Sequence, residues 1–217
     1  MNLSKLGAKK VLVTAGPTYE PIDPVRFIGN HSSGKMGYEL CQLLRDAGAE
    51  VFLVTGPTSL PKPAGIIIKE VNTAKEMYEA SKAIFEKMDI AILAAAVADY
   101  TPKIIQNKKI KKNDEVLTLE LVKTKDIAKE LGTIKNKNQI LIGFALETDN
   151  ELENARLKRV KKNFDFIVLN SLQNKDTCFG SNNNQIIIVD EHKELYFEFK
   201  SKKKVALDII NHIENLL

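Results

Sequence analysis

Between residues 10 and 94 the chain alternates short apolar runs with amphipathic stretches, and this alternation restricts the fold more than any other feature. Lys10-Val11-Leu12-Val13-Thr14-Ala15 reads as a strand that is apolar on both faces, closed by Gly16-Pro17. In residues 34–47, Met36, Leu40, Cys41, Leu43, Leu44 and Ala47 recur at helical spacing, and Gly48 suits the position just past a helix end. Residues 50–55 and 66–71 read as two more strands. Thr73 caps a helix reaching about Lys87, and residues 89–94 form a fourth, strongly apolar strand. Strands buried on both faces need helices above and below them. The expected fold is therefore α/β, a Rossmann-like doubly wound and mostly parallel sheet.

The second half is less regular. Residues 115–122 alternate like a half-exposed strand, 124–131 suggest a short helix, 139–144 a strand, 150–162 a helix and 165–169 a buried strand. Residues 185–189 and 194–199 read as a hairpin, followed by a helix from Lys202 to Leu216. There is no internal repeat or low-complexity linker, so one domain over residues 1–217 with a small antiparallel extension is expected.

Composition narrows the function class. With 44% hydrophobic and 28% charged residues in 217, such a core can be filled without staples. Cys41 and Cys178 offer neither a disulfide framework nor metal-ligand spacing, and His31, His192 and His212 show none either. No protein-held metal site is expected. Residues 1–8 lack a signal-length apolar stretch, and no run approaches the ~18 residues of a membrane span. A cytoplasmic protein with no membrane partner follows. Net charge is +4, too small to argue for nucleic acid, and the basic runs 108–112, 158–162 and 202–204 lack interleaved aromatics. Such runs are solvated faces, or they converge on a small polyanion such as a nucleoside triphosphate.

Right-handed crossovers place the loops after the strands on one edge, where such folds bind ligands. The loops 16–33 and 95–113 leave from that edge, and both exceed the usual two to six residues. Gly29-Asn30-His31-Ser32-Ser33-Gly34-Lys35-Met36-Gly37 stands where a helix begins. Its hydroxyls, glycines and unpaired first-turn N–H groups suit a phosphate. The plainer reading is a serine N-cap worth about 1 kcal/mol. Gly29 to Lys35 has Walker A spacing, but Met36 stands where a magnesium-binding hydroxyl is required, and the turn starts well past its strand. A dinucleotide oxidoreductase wants G-x-G-x-x-G at the first strand's end, which residues 14–18 do not supply. A nucleotide-binding module without catalysis remains a third alternative.

The stretch of residues 14–37, TAGPTYEPIDPVRFIGNHSSGKMG, resembles the signature of phosphopantothenate–cysteine ligases. Ala95-Ala96-Val97-Ala98-Asp99-Tyr100 is similar to that family's A-A-V-A-D segment, and Lys109-Ile110-Lys111-Lys112 to the K-x-K-K motif of its bacterial members. Gly143-Phe144-Ala145, Glu147-Thr148, Ala155-Arg156, residues 158–163, and Phe179-Gly180-Ser181 with Asn183-Asn184 follow in order. The resemblance implies a ligase of coenzyme A biosynthesis. It would join 4′-phosphopantothenate to L-cysteine through an acyl-cytidylate, with CTP cleaved to CMP and pyrophosphate. Bacterial relatives often carry this region behind a flavin-dependent decarboxylase. The signature starts about ten residues in, so a free-standing ligase without flavin is expected.

Site roles follow from the same resemblance. Lys109 would assist acyl-nucleotide formation, and Asn30 would bind the intermediate and support the second half-reaction. Arg26 would clamp a phosphate or carboxylate, and Ala95 would lie against the substrate. Ser32, Ser33, Gly34, Asp99, Lys109, Phe144, Lys158 and Lys162 would bind the nucleotide, together with the loop Lys125-Asp126-Ile127-Ala128. That loop departs from the family's P-D-I pattern at Lys125, and Asn182 stands where aspartate is common. Mg²⁺ is expected with the triphosphate. A homodimer that completes the site across its interface is expected too, with the segment near Asn183 as a candidate surface.

Overall fold

The computed structural model describes residues 4–111, 115–147, 149–171 and 182–217. The first half runs β1 (Lys10–Ala15), β2 (Tyr19–Pro21), β3 (Phe27–Gly29), α1 (Lys35–Asp46), β4 (Glu50–Thr55), β5 (Ile67–Glu70), α2 (Ala74–Phe85) and β6 (Ile90–Leu93). The second runs β7 (Tyr100–Pro102), β8 (Leu121–Lys123), α3 (Ile127–Ile134), β9 (Ile140–Glu147), α4 (Glu151–Lys161), β10 (Phe166–Ser171), β11 (Asn183–Asn184), β12 (Ile186–Val189), β13 (Glu194–Tyr196), β14 (Lys200–Ser201) and α5 (Lys202–Leu216).

Eight strands form one sheet in the order β13-β12-β10-β9-β6-β1-β4-β5. From β5 to β10 every pairing is parallel, and β12 and β13 add antiparallel to the β10 edge. Counted along the chain, the parallel strands lie third, second, first, fourth, fifth and sixth. The order reverses between β1 and β6, and a doubly wound sheet opens its ligand crevice there.

Alternation along the buried strands divides the core into two layers. Val11, Val13, Phe166 and Val168 meet Leu40, Cys41 and Leu44 of α1 and Val205, Ile209 and Ile213 of α5. Leu12, Ile167 and Leu169 face the other way, onto Met77 and Phe85 of α2, Leu131 of α3 and Ala155 of α4. Burial also pushes the Cys41 thiol above its ordinary pKa, so this cysteine is a core residue and not a nucleophile.

Gly37 lets α1 sit close to β1: a Cβ there would fall 2.5 Å from the Ala15 Cβ. On an isolated helix Gly→Ala gains about 1 kcal/mol. Here two backbone-anchored atoms collide, and overpacking costs about 1–3 kcal/mol. Gly37→Ala should therefore lower the urea midpoint at unchanged m-value; a raised midpoint would contradict this packing.

The structure departs from expectation at four places. Residues 115–120 form no strand, and only β8 pairs, with β7. Val116 and Leu117 are exposed, so their alternation has no face to bury against. The loop 16–33 contains the β2–β3 hairpin, whose three-residue strands are too short to show a period. The α3 helix starts at Ile127 and not at Thr124, because Asp126 caps it by accepting from the Lys129 N–H at 3.0 Å. Finally, α1 has no serine cap. Gly34 holds the N-cap position at φ 78° and has no side chain to make the cap bond.

Candidate functional site

The segment after β6 is the spine of the site, and it is braced along its length. Ala95 N–H donates to Thr14 Oγ1 at 3.3 Å, Ala96 N–H to the Gly16 carbonyl at 2.9 Å, and Ala98 N–H to Thr18 Oγ1 at 2.9 Å. Thr124 Oγ1 donates to the Ala98 carbonyl at 2.7 Å, tying the start of the α3 loop to the same spine. Thr14 and Thr18 are buried, so these bonds exchange no partner with water. Asn30 Nδ2 reaches the Ala96 carbonyl at 3.0 Å.

Two cavities open on either side of this spine. The first, about 170 Å³, is lined by Ser32, Ser33, Gly34 and the first turn of α1, with Ala95, Phe144, Asn184 and Lys202 opposite. Ser32 Oγ accepts from Gly34 N–H at 3.3 Å and Ser33 Oγ from Lys35 N–H at 3.4 Å, which shapes the turn. Met36 and Gly37, in the first turn of α1, bring the positive end of the helix to this wall. Lys35 Nζ meets Asn182 Oδ1 at 2.6 Å, so the residue that departs from the family aspartate still pairs with this lysine.

The second cavity, about 420 Å³, is lined by Asp99, Lys125, Asp126, Ile127, Ala128, Lys158 and Lys162, and it shares Ala95 and Phe144 with the first. Asp126 and Lys162 form an ion pair that joins the start of α3 to the end of α4. Burial alone would raise the Asp126 pKa, but the Lys162 ammonium and the Lys129 N–H outweigh it and hold the carboxyl below its ordinary value. Lys158 Nζ stands 3.9 Å from Glu147 Oε1. Lys125, at the position that departs from the family proline, lays its ammonium 4.6 Å from the Tyr78 ring centroid.

The sequence-predicted residues thus fall into three groups. Ser32, Ser33 and Gly34 line the first cavity; Asp99, residues 125–128, Lys158 and Lys162 line the second; Ala95 and Phe144 line both. Asn30, Arg26 and Lys109 line neither; Asn30 touches the spine through the Ala96 carbonyl. Arg26 already clamps a carboxylate, Asp23 of its own chain, with Nε at 3.0 Å and Nη2 at 2.5 Å. Lys109 is exposed and lines a third cavity, about 490 Å³, formed by Ile22, Pro102, Gln106 and the stretch 117–120. Sequence reasoning gave no site role to Asn184 and Lys202, which line the first cavity, although Asn184 lies in a matched block and Lys202 in a basic run. It also missed Asp23, for which Asp-Pro-Val-Arg, an Asx-turn composition, was the available signal. Lys112, Thr148, Cys178, Phe179, Gly180 and Ser181 lie outside the described residues. Among the described residues, no helix is long and apolar enough to cross a membrane.

A family model described as the DNA/pantothenate metabolism flavoprotein C-terminal domain matches residues 6–217. The chain is 50% identical over 214 residues to a cysteine/cysteine sulfinic acid decarboxylase of an unknown prokaryotic organism, covering 98% of this chain and 60% of that protein. It is 45% identical over 214 residues to the coenzyme A biosynthesis bifunctional protein CoaBC of Bacillus subtilis (strain 168), covering 97% and 52%. The chain therefore spans little more than half the length of these curated relatives. Among solved structures, the C-terminal domain of a coenzyme A biosynthesis bifunctional protein CoaBC is similar at 39% identity and a TM-score of 0.84, over 98% of this chain and 97% of that one.

Proposed function

The chain belongs to the DNA/pantothenate metabolism flavoprotein C-terminal domain family, and from that premise we propose that it is a phosphopantothenate–cysteine ligase. It joins 4′-phosphopantothenate to L-cysteine at the expense of CTP. The observation that carries this reading is the pair of cavities meeting at Ala95 and Phe144. A reaction between a phosphorylated acid and a nucleoside triphosphate needs two anion-binding spaces that adjoin at the reacting atoms.

The serine–glycine turn and the start of α1, expected from the sequence to bind the nucleotide, here suit the phosphate of phosphopantothenate in the first cavity. The lysine-walled second cavity suits the nucleotide. The carboxylate of the first substrate then meets the α-phosphorus beside Ala95. Its oxygen forms the new bond and pyrophosphate leaves. The cysteine amine next attacks the activated carbonyl, CMP departs, and the amine proton passes to solvent. Every reactant in the first step is anionic, so the protein's contribution is charge neutralisation and alignment. Lys109 supplies a further cation, and the preference for CTP over ATP rests on its motif.

Asp99 and Asp126 line the second cavity, and Asp126 is held by Lys162. Among the described residues, no three His, Cys, Asp or Glu side chains gather to hold a metal. A Mg²⁺ ion that enters with the triphosphate would be held mostly by phosphate oxygens and water. When bound, the ion supplies neutralisation of the triphosphate's charge.

The proposal includes a homodimer. Besides the region of Asn183, where Tyr196 and Phe199 are exposed, the β2–β3 and β7–β8 pairs expose Val25, Phe27, Tyr100, Ile104 and Leu121 as a candidate surface. This face adjoins the Lys109 segment, so a second copy seated on it can receive the lysine.

The test is pyrophosphate release by the purified chain. It should require CTP and phosphopantothenate together, and added cysteine should then yield the amide product. Carbon dioxide released from cysteine with no nucleotide requirement would overturn the ligase reading, and binding of CTP without turnover would leave only a nucleotide-binding module. Light scattering should give about twice the 24.3 kDa of one chain.

A further inference from the structure

Asp23 is a buried carboxylate whose side chain is 0% exposed, and it lines neither cavity at the spine. Its two oxygens have separate partners. Oδ1 accepts from the backbone N–H groups of Val25 and Arg26 at 2.8 and 2.9 Å, closing the turn between β2 and β3. Oδ2 accepts from Arg26 Nε at 3.0 Å and Nη2 at 2.5 Å, and from the backbone N–H of Ile110 at 3.1 Å. Arg26 Nη2 also donates to the Ile110 carbonyl at 2.9 Å. Both peptide groups of Ile110 are thus held by one ion pair. Gln106 N–H, donating to the Ile22 carbonyl at 3.0 Å, pins the approach to the same segment.

Burial opposes the Asp23 charge, but the Arg26 guanidinium and the N–H groups of Ile110, Val25 and Arg26 outweigh it. The carboxyl is held well below the usual carboxylate range. The clamp therefore stays charged throughout the neutral range. Ile110 stands between Lys109 and Lys111, and a run of like charges repels itself and spreads unless something fixes it. Holding the N–H of the 109–110 peptide and the C=O of the 110–111 peptide fixes the two planes that flank Ile110, and so restrains the residues on each side.

We propose that Asp23 is a positioning residue for Lys109. Through Oδ2 and Arg26 it grips Ile110 and sets where the lysine segment departs from the β2–β3 hairpin. Oδ1 builds the hairpin turn, independently of that grip. The assignment rests on Lys109 being the cation that assists acyl-nucleotide formation, and it gives Arg26 an action on the reaction that needs no contact with substrate.

Asp23→Asn separates the two oxygens: the amide oxygen can keep the turn, while the amide N–H₂ faces donors that formerly bonded to Oδ2. Two readouts are taken on the full chain. Trypsin cleavage after Lys108, Lys109 and Lys111 should quicken about tenfold or more as the segment is released, with cleavage elsewhere unchanged. The kcat for pyrophosphate release should fall about a hundredfold, with KM for phosphopantothenate within about twofold, since only the placement of the cation is lost. If circular dichroism shows that Asp23→Asn does not fold, Asp23→Ser is used: its hydroxyl can serve the turn but is too short to reach Arg26 and Ile110. Unchanged trypsin cleavage in the folded variant overturns the proposal. Faster cleavage with wild-type kcat also overturns it, provided Lys109→Gln is inactive. Wild-type kcat in Lys109→Gln itself would instead remove the role of Lys109 on which the proposal stands.

Discussion

Replacing Lys109 by Gln should lower pyrophosphate release from CTP and phosphopantothenate by about a thousandfold, while the melting temperature stays nearly unchanged. The two halves of this expectation have separate grounds. Lys109 is exposed, and exposed substitutions away from caps and cores shift stability by about 0.5 kcal/mol or less. The chemical step, by contrast, brings a carboxylate to a triphosphate, and a single cation aimed at the charge developing there is worth about 10³ or more in rate. Glutamine keeps most of the length and removes the charge, so lost reach cannot explain the result. Initial-rate pyrophosphate assays at saturating substrates, beside thermal melts, would measure both; a variant within a factor of three of wild type would end the assignment.

The position of Lys109 adds a second condition. On its own chain it lines the third cavity, which shares no residue with the two that meet at Ala95. Either its segment swings over the second cavity or a second copy of the chain presents it. Mixing Lys109→Gln with Asn30→Asp protein under conditions that exchange subunits distinguishes the two. Recovered turnover means that the lysine and the asparagine of one working site come from different chains, and no recovery means that one chain supplies both.

The fold was legible where burial on both faces left a strong pattern. Val11 to Ala15 and Ile90 to Leu93 read as central strands because apolar side chains point both ways, and they neighbour each other in the sheet. Thr73 marked a helix start correctly, because a hydroxyl at an N-cap has one efficient use: it accepts from the Glu76 N–H three residues on. The β2–β3 hairpin was not legible, since three residues carry no period. Residues 115–120 misled because alternation without a covering layer looks the same in sequence as alternation beneath one.

The candidate site was legible in residue type and not in grouping. Ser32, Asp99 and Lys162 were all expected to bind the nucleotide, yet spacing along the chain cannot say which of two adjoining cavities each one faces. Asp23 escaped for a related reason. Its partner Ile110 is apolar, distant in sequence and engaged only through its backbone, and no side-chain motif records such a bond.

Asn30→Asp should leave the first half-reaction largely intact and stall the second, so that acyl-cytidylate accumulates while product formation falls about a hundredfold or more. Asn30 Nδ2 donates to the Ala96 carbonyl at 3.0 Å, at the edge of the wall where the activated carbonyl would lie. When cysteine attacks, that carbonyl oxygen gains negative charge, and a nearby amide N–H₂ can stabilise it. Aspartate has nearly the same shape but presents a carboxylate, which cannot donate, repels the Ala96 carbonyl and repels the developing oxyanion. Losing one donor at such a position costs about 10²–10³ in rate, and a negative charge in its place adds to the cost. The first step suffers less, because its charge develops on the leaving pyrophosphate, toward the lysines of the second cavity. Rapid-quench analysis with labelled CTP would resolve the two: pyrophosphate should appear in a burst stoichiometric with sites, without a matching release of CMP. Equal slowing of both products would place Asn30 in the first step, and the division of labour between the two sides of the Ala95 wall would have to be redrawn.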